Sequence, residues 1–210
     1  MKNWKQKIVD YYRKRSIWSL ISDGVFAVLL VLLLIPATRR ELVSRVVRLT
    51  MRNPVARAGE TNLRADVETM AWPLYTAEGR EILFSDLEGE VIFLNFWATW
   101  CPPCIAEMPS IQNLYNEYGN RVKFLLVTRE EVTTVQDFLD KNGYHLPVFF
   151  QKYREPDLFE SSSIPTTFIL SRDGRLLVNK KGAARWDSRP VKRLLDELAE
   201  KEPERVGETM

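Results

Sequence analysis

Thiol and imidazole groups are scarce in this chain, which has two cysteines and one histidine among 210 residues. A tetrahedral Cys/His zinc site needs four ligands. Cys101, Cys104 and His145 supply only three, so no such site is expected. Surplus charge is lacking as well, the net value being +2. That figure hides a split: residues 1–58 carry 12 Lys/Arg against 3 Asp/Glu, and residues 59–210 carry 18 against 25. Nucleic-acid binding would require basic charge on the folded part. That part is acidic, and no nucleic-acid partner is expected. Internal repeats are absent too.

Long hydrophobic runs are limited to one, "IWSLISDGVFAVLLVLLLIP", Ile17 to Pro36. Twenty helical residues span about 30 Å, enough to cross a bilayer core. Asp23 lies inside the run, and the uninterrupted part, Gly24 to Ile35, has only the length of a signal-peptide core. A cleaved signal is therefore the rival to a retained anchor. The long preceding segment and the poor cleavage site in "LIPAT" favour the anchor. Residues 1–16 and 37–58 hold six Lys/Arg each, so the flanks do not set an orientation.

The rest divides as follows. Residues 1–16 form a basic tail, 17–36 the anchor, 37–66 a juxtamembrane helix and linker, 67–201 the globular domain, and 202–210 a flexible tail. In the juxtamembrane part, Leu42, Val43, Val46, Val47 and Leu49 fall near helical spacing among arginines. This suits either a helix on anionic headgroups or a solvated linker helix. Within the domain, apolar strands at Val91–Phe96 and Val122–Thr128 alternate with helical patterns, which points to an α/β sheet covered on both faces. "TTVQDFLDKNGY" reads as a helix ended by Gly143, and "LPVFFQ" as a short strand. "PTTFILSRDGRLLVNKKG" reads as a hairpin turning at Asp173-Gly174, and "DSRPVKRLLDELAEK" as a helix capped by Asp187 or Ser188.

The two cysteines stand three positions apart in "FWATWCPPCIAEMP". A structural disulfide closing so short a loop would restrict the unfolded chain little, so the pair points to reactivity. A strand running into "WCPPC" and then a helix puts Cys101 at a helix N-terminus, where free N–H groups and the helix dipole favour thiolate. Cys104 lies one turn further on, facing inward. Cys101 is thus the attacking sulfur and Cys104 the resolving one.

"FLNFWATWCPPCIAEMP" followed by "SSIPTTFIL" resembles the thioredoxin superfamily, and more narrowly its membrane-anchored TlpA/ResA-type thiol–disulfide oxidoreductases. The similarity covers about residues 68–200. It implies a thioredoxin fold, a central mixed sheet with helices on both faces, carrying an N-terminal hairpin and an inserted βα unit. It also implies that Pro165 is a cis-proline facing the cysteines, leaving the backbone of Ile164 to pair with an extended substrate segment. Trp100 matches a partner-binding aromatic, and Trp97 a core one. Asn95 stands where thioredoxins carry a buried aspartate. Glu107 matches the acidic residue of the ResA-type pattern, placed to accept the Cys104 proton.

The resemblance further implies a single-pass protein of the cytoplasmic membrane with its catalytic domain extracytoplasmic, or periplasmic. Its substrates would be disulfides of exported proteins, apocytochrome cysteines among them. A membrane protein would serve as electron donor, and beyond the redox-active disulfide no cofactor or metal is expected. Pro102 and Pro103 have no N–H to stabilise a Cys101 thiolate, and no histidine lies between the cysteines; both features lean toward a reductant. An exported oxidase or isomerase and a copper-binding module that is not catalytic remain as alternatives. A peroxidase would need Thr-x-x-Cys, and Ala98 stands where the threonine should be.

Overall fold

The computed structural model describes residues 17–34, 36–51, 54 and 63–200, so the expected tails and most of the linker 52–62 lie outside the described residues. The chain divides into two compact units between Leu42 and Val43. Toward the N-terminus, α1 runs Ile17–Leu34 and α2 runs Pro36–Thr50. The 18 described residues of α1 extend about 27 Å. Residue 35, between these two helices, lies outside the described residues. Among the described residues no helix is long and apolar enough to cross a membrane.

The second unit contains a seven-stranded sheet in the order β2-β1-β5-β4-β3-β6-β7. Residues just ahead of Val67 are tied to it. The N–H of Ala65 donates to the carbonyl of Gly174 at 3.0 Å, and Arg64 bridges to Arg175. A single helical turn, α3 (Val67–Met70), follows, capped by Asp66. β1 (Pro73–Tyr75) and β2 (Glu81–Leu83) form the N-terminal hairpin. β3 (Ile92–Phe96) pairs parallel with β4 (Lys123–Thr128). β4 in turn pairs parallel with β5 (Val148–Phe150). The antiparallel hairpin β6 (Thr166–Leu170) and β7 (Leu176–Lys181) completes the sheet on the other side of β3. The helices are α4 (Pro102–Tyr118), α5 (Val132–Asn142) and α6 (Arg189–Glu200).

The inserted βα unit is α5 with β5. Its helix ends at Gly143, whose φ of 67° places it in the left-handed region that closes helices at low steric cost. Ser188, one of the two expected caps, stands at the N-cap position of α6: its carbonyl accepts from the N–H of Lys192, while its Oγ is buried without a partner. Asp187 turns its carboxylate to Asn113 and Arg185.

Strand alternation sorts the core. Phe93 from β3 joins Met108, Ile111 and Leu114 of α4, Val135 of α5 and Leu195 of α6 in one buried cluster. On the other side, Ile92, Leu94 and Phe96 pack against Trp72, Phe84 and Phe159. Both faces are covered, as the apolar strands require. The second is roofed by aromatics from single helical turns and loops rather than by long helices. The alternation that sends Phe93 toward α4 also sends Asn95 there, opposite Thr167 of β6. α4 contains Pro109, which has no N–H for the carbonyl of Ile105.

Candidate active site

β3 ends at Phe96, and the chain turns through residues 97–100 before α4 begins. Cys101 is the N-cap of α4, with Pro102 and Pro103 forming its first turn. Cys101 and Cys104 are joined in a disulfide, Cα–Cα 5.3 Å. The N–H of Cys104 donates to Cys101 Sγ at 3.3 Å. With both prolines lacking an N–H, Cys104 supplies the first helix amide available to that sulfur.

The Ile164–Pro165 peptide bond is cis, and the carbonyl oxygen of Ile164 lies 3.8 Å from Cys101 Sγ. The structure thus brings together Cys101, Cys104, Ile164 and Pro165 from segments 60 residues apart. Trp100 is 55% exposed beside them, whereas Trp97 is buried. A recess of about 400 Å³ opens next to Trp100 and Ile164, floored by Phe96, Trp97 and Val127 and edged by Ser163 and Glu155.

Glu107 is not on the helix surface. It is 1% exposed, and its carboxylate points into the face shared by Asn95 and Thr167. Oε1 accepts from Asn95 Nδ2 at 2.8 Å; Oε2 accepts from the N–H of Ala184 and from Trp186 Nε1, each at 3.0 Å. Burial pushes its pKa up to about 7, while the three donors and the more distant charge of Lys180 act in the opposite sense. Asn95 also donates to Thr167 Oγ1 at 2.8 Å. The place at which thioredoxins hold an acid is therefore an amide here, and that amide holds an acid reaching in from the helix.

Three of these groups had no signal in the sequence: Ala184 and Trp186, far along the chain, and Glu130. The last accepts from the N–H of Thr99 at 2.6 Å and from Thr99 Oγ1 at 2.7 Å, fixing the turn just before Trp100 and Cys101. Among the described residues, no group of three or more His, Cys, Asp or Glu is placed to hold a metal ion.

A helix-capping cysteine, a second sulfur one turn behind it and a cis-proline loop across from them define a thiol–disulfide oxidoreductase on a thioredoxin-like fold. Residues 65–178 match the AhpC/TSA family, and the chain belongs to it. It is 36% identical over 126 residues to the thiol-disulfide oxidoreductase ResA of Halalkalibacterium halodurans, covering 59% of this chain and 68% of that one. The ResA protein of Bacillus subtilis is 32% identical over 123 residues, covering 57% and 69%. Among solved structures, a Bacteroides vulgatus protein described as a thiol-disulfide oxidoreductase superposes with a TM-score of 0.52 at 26% identity, covering 65% of this chain and 96% of that one.

Proposed function

We propose that this oxidoreductase works as a membrane-attached reductase of disulfides in exported proteins, with its catalytic domain outside the cytoplasm. The observation that carries the direction is the sparse donor set at Cys101: one N–H, from Cys104, where two prolines withhold theirs. A less stabilised thiolate makes the dithiol the better electron source.

In the reduced enzyme, the Cys101 thiolate attacks one sulfur of a substrate disulfide. The substrate S–S bond breaks, a mixed disulfide forms, and one substrate thiolate leaves. Cys104 then gives its proton to Glu107 and attacks Cys101 Sγ. The second substrate sulfur leaves and takes up a proton, and the Cys101–Cys104 disulfide is formed; two electrons have passed to the substrate. A carboxyl group near neutrality suits this exchange, since proton transfer is most effective when the group's pKa lies near the working pH. The Ile164 backbone aligns the substrate strand, and the recess beside Trp100 takes a neighbouring apolar side chain. A membrane protein that passes electrons outward returns the enzyme to its dithiol form.

Membrane attachment is supported by α1, which leaves Trp18, Val25, Phe26 and Leu34 exposed on a helix with few polar groups. The decisive experiment is trapping with Cys104→Ser in membranes. Mixed disulfides through Cys101 to exported proteins are expected. Absence of such adducts, with intact Cys101 reactivity, would overturn the reading.

A further inference from the structure

The carboxylate of Glu107 is closed off from solvent, and each of its contacts is an N–H donor. Asn95 comes from β3, Ala184 and Trp186 from the segment after β7. That segment is fastened to the same helical turn twice. Besides the indole bond, the N–H of Trp186 donates to Ser110 Oγ at 3.1 Å, and Ser110 Oγ donates to the carbonyl of Glu107 at 2.8 Å. The Trp186 ring, fully buried, stands edge-on to Phe93 at 5.1 Å. Its indole N–H is therefore held in place by packing that does not depend on Glu107.

The charges near this carboxylate are few. β3 and β6 turn only Asn95 and Thr167 toward it. β7 contributes the distant Lys180; on α4 itself, Cys104 lies one turn before the acid, uncharged in the disulfide. Arg185, beside Trp186, faces Asp187 at 3.0 Å. With no ion pair to decide the matter, hydrogen bonds to the ionised form are the main force opposing desolvation. Asn95 has a second property. Its Oδ1 is buried without a partner, so the amide turned by half a rotation would set an acceptor against a protonated Glu107.

We propose that Trp186 and Asn95 are positioning residues for the disulfide exchange: their N–H donors decide whether Glu107 is free to take the proton of Cys104. This rests on the reading of Glu107 as proton acceptor. It extends that reading to a segment that touches neither sulfur in the reaction.

The test uses the full chain carrying Trp186→Phe, which deletes the indole N–H and keeps an aromatic ring against Phe93. The Glu107 carboxyl is followed by carbon NMR across pH, assigned by its loss in Glu107→Gln. In parallel, the pH profile of mixed-disulfide resolution is measured. Losing one bond to a charged acceptor should move the carboxyl midpoint up by about one pH unit. The resolution profile should move with it, and Trp186→Phe should cause no shift in a Glu107→Gln background. Asn95→Asp, nearly isosteric, replaces a donor with a second carboxyl and should raise the upper midpoint further. It serves as the test if Trp186→Phe does not fold. An unmoved carboxyl midpoint in the folded variant, or a profile shift that persists without Glu107, would overturn the proposal. If Glu107→Gln alone leaves the profile unchanged while the midpoint still responds to Trp186→Phe, the proton-acceptor role fails and the donor cradle stands.

Discussion

Two glutamates flank the redox turn, and they do opposite things with the same carboxylate. Glu130, half-buried, accepts from Thr99 with both oxygens, one of them also facing Thr128 Oγ1, and braces the backbone leading into Trp100 and Cys101. Glu107, fully buried, gathers donors from β3 and from the segment after β7, and its proton affinity rises to the neutral range. What separates them is water. Glu130 keeps some solvent contact and serves as a structural brace, whereas Glu107, sealed from solvent, is poised between two protonation states.

The comparison can be broken most forcefully at Glu107. Glu107→Ala orphans three buried N–H groups and should lower unfolding free energy by about 4 kcal/mol in urea titration. A loss comparable to that of a surface variant would mean the cradle contributes nothing.

Next in size is the pH dependence of stability. Glu107 has a folded pKa of about 7 against an ordinary value of 4.5, so the folded state binds the extra proton between them. The associated stability is complete below pH 4.5 and is lost as pH rises through 7, a change of about 3 kcal/mol. Urea titrations of the oxidised protein across that range should show the decline, and Glu107→Gln should flatten it. In the same variant, resolution of mixed disulfides should slow by about 10²-fold, read by stopped-flow.

Glu130→Ala should have a smaller effect. Destabilisation of about 1–2 kcal/mol and a less than tenfold fall in reduction rate are expected, with the shape of the pH profile unchanged. A displaced profile would erase the distinction between the two acids. Smallest of all, Thr99→Val removes only the side-chain half of the Glu130 clamp, and should cost about 0.5–1 kcal/mol by thermal unfolding.

What could be read from the chain beforehand was local or carried by a motif. The strand, the WCPPC turn and the helix follow one another within about 30 residues, so their periodicities are visible in order. The α5–β5 insertion announced itself through Gly143 and an apolar triplet. The burial of Glu107 had no such signature. A glutamate in a helix reads as solvated, and the donors that make its burial tolerable lie 77 and 79 residues later. The brace from Glu130 to Thr99 crosses 31 residues between two loops, where no period exists to reveal it. The bond from Arg64 to Asp173 escaped for the same reason, its partner being 109 residues away between β6 and β7.

Pro109 gives α4 an unequal division of labour. The gap it leaves in the amide ladder falls two residues beyond Glu107, so Cys101, Cys104 and the acid all sit on a short head of the helix. Ile111, Leu114 and Tyr118 lie beyond that gap and clamp the shaft into the core. Across that gap the bond from Ser110 Oγ to the carbonyl of Glu107 ties head to shaft, so the sulfurs exchange partners on a turn whose link to the framework runs partly through a side chain.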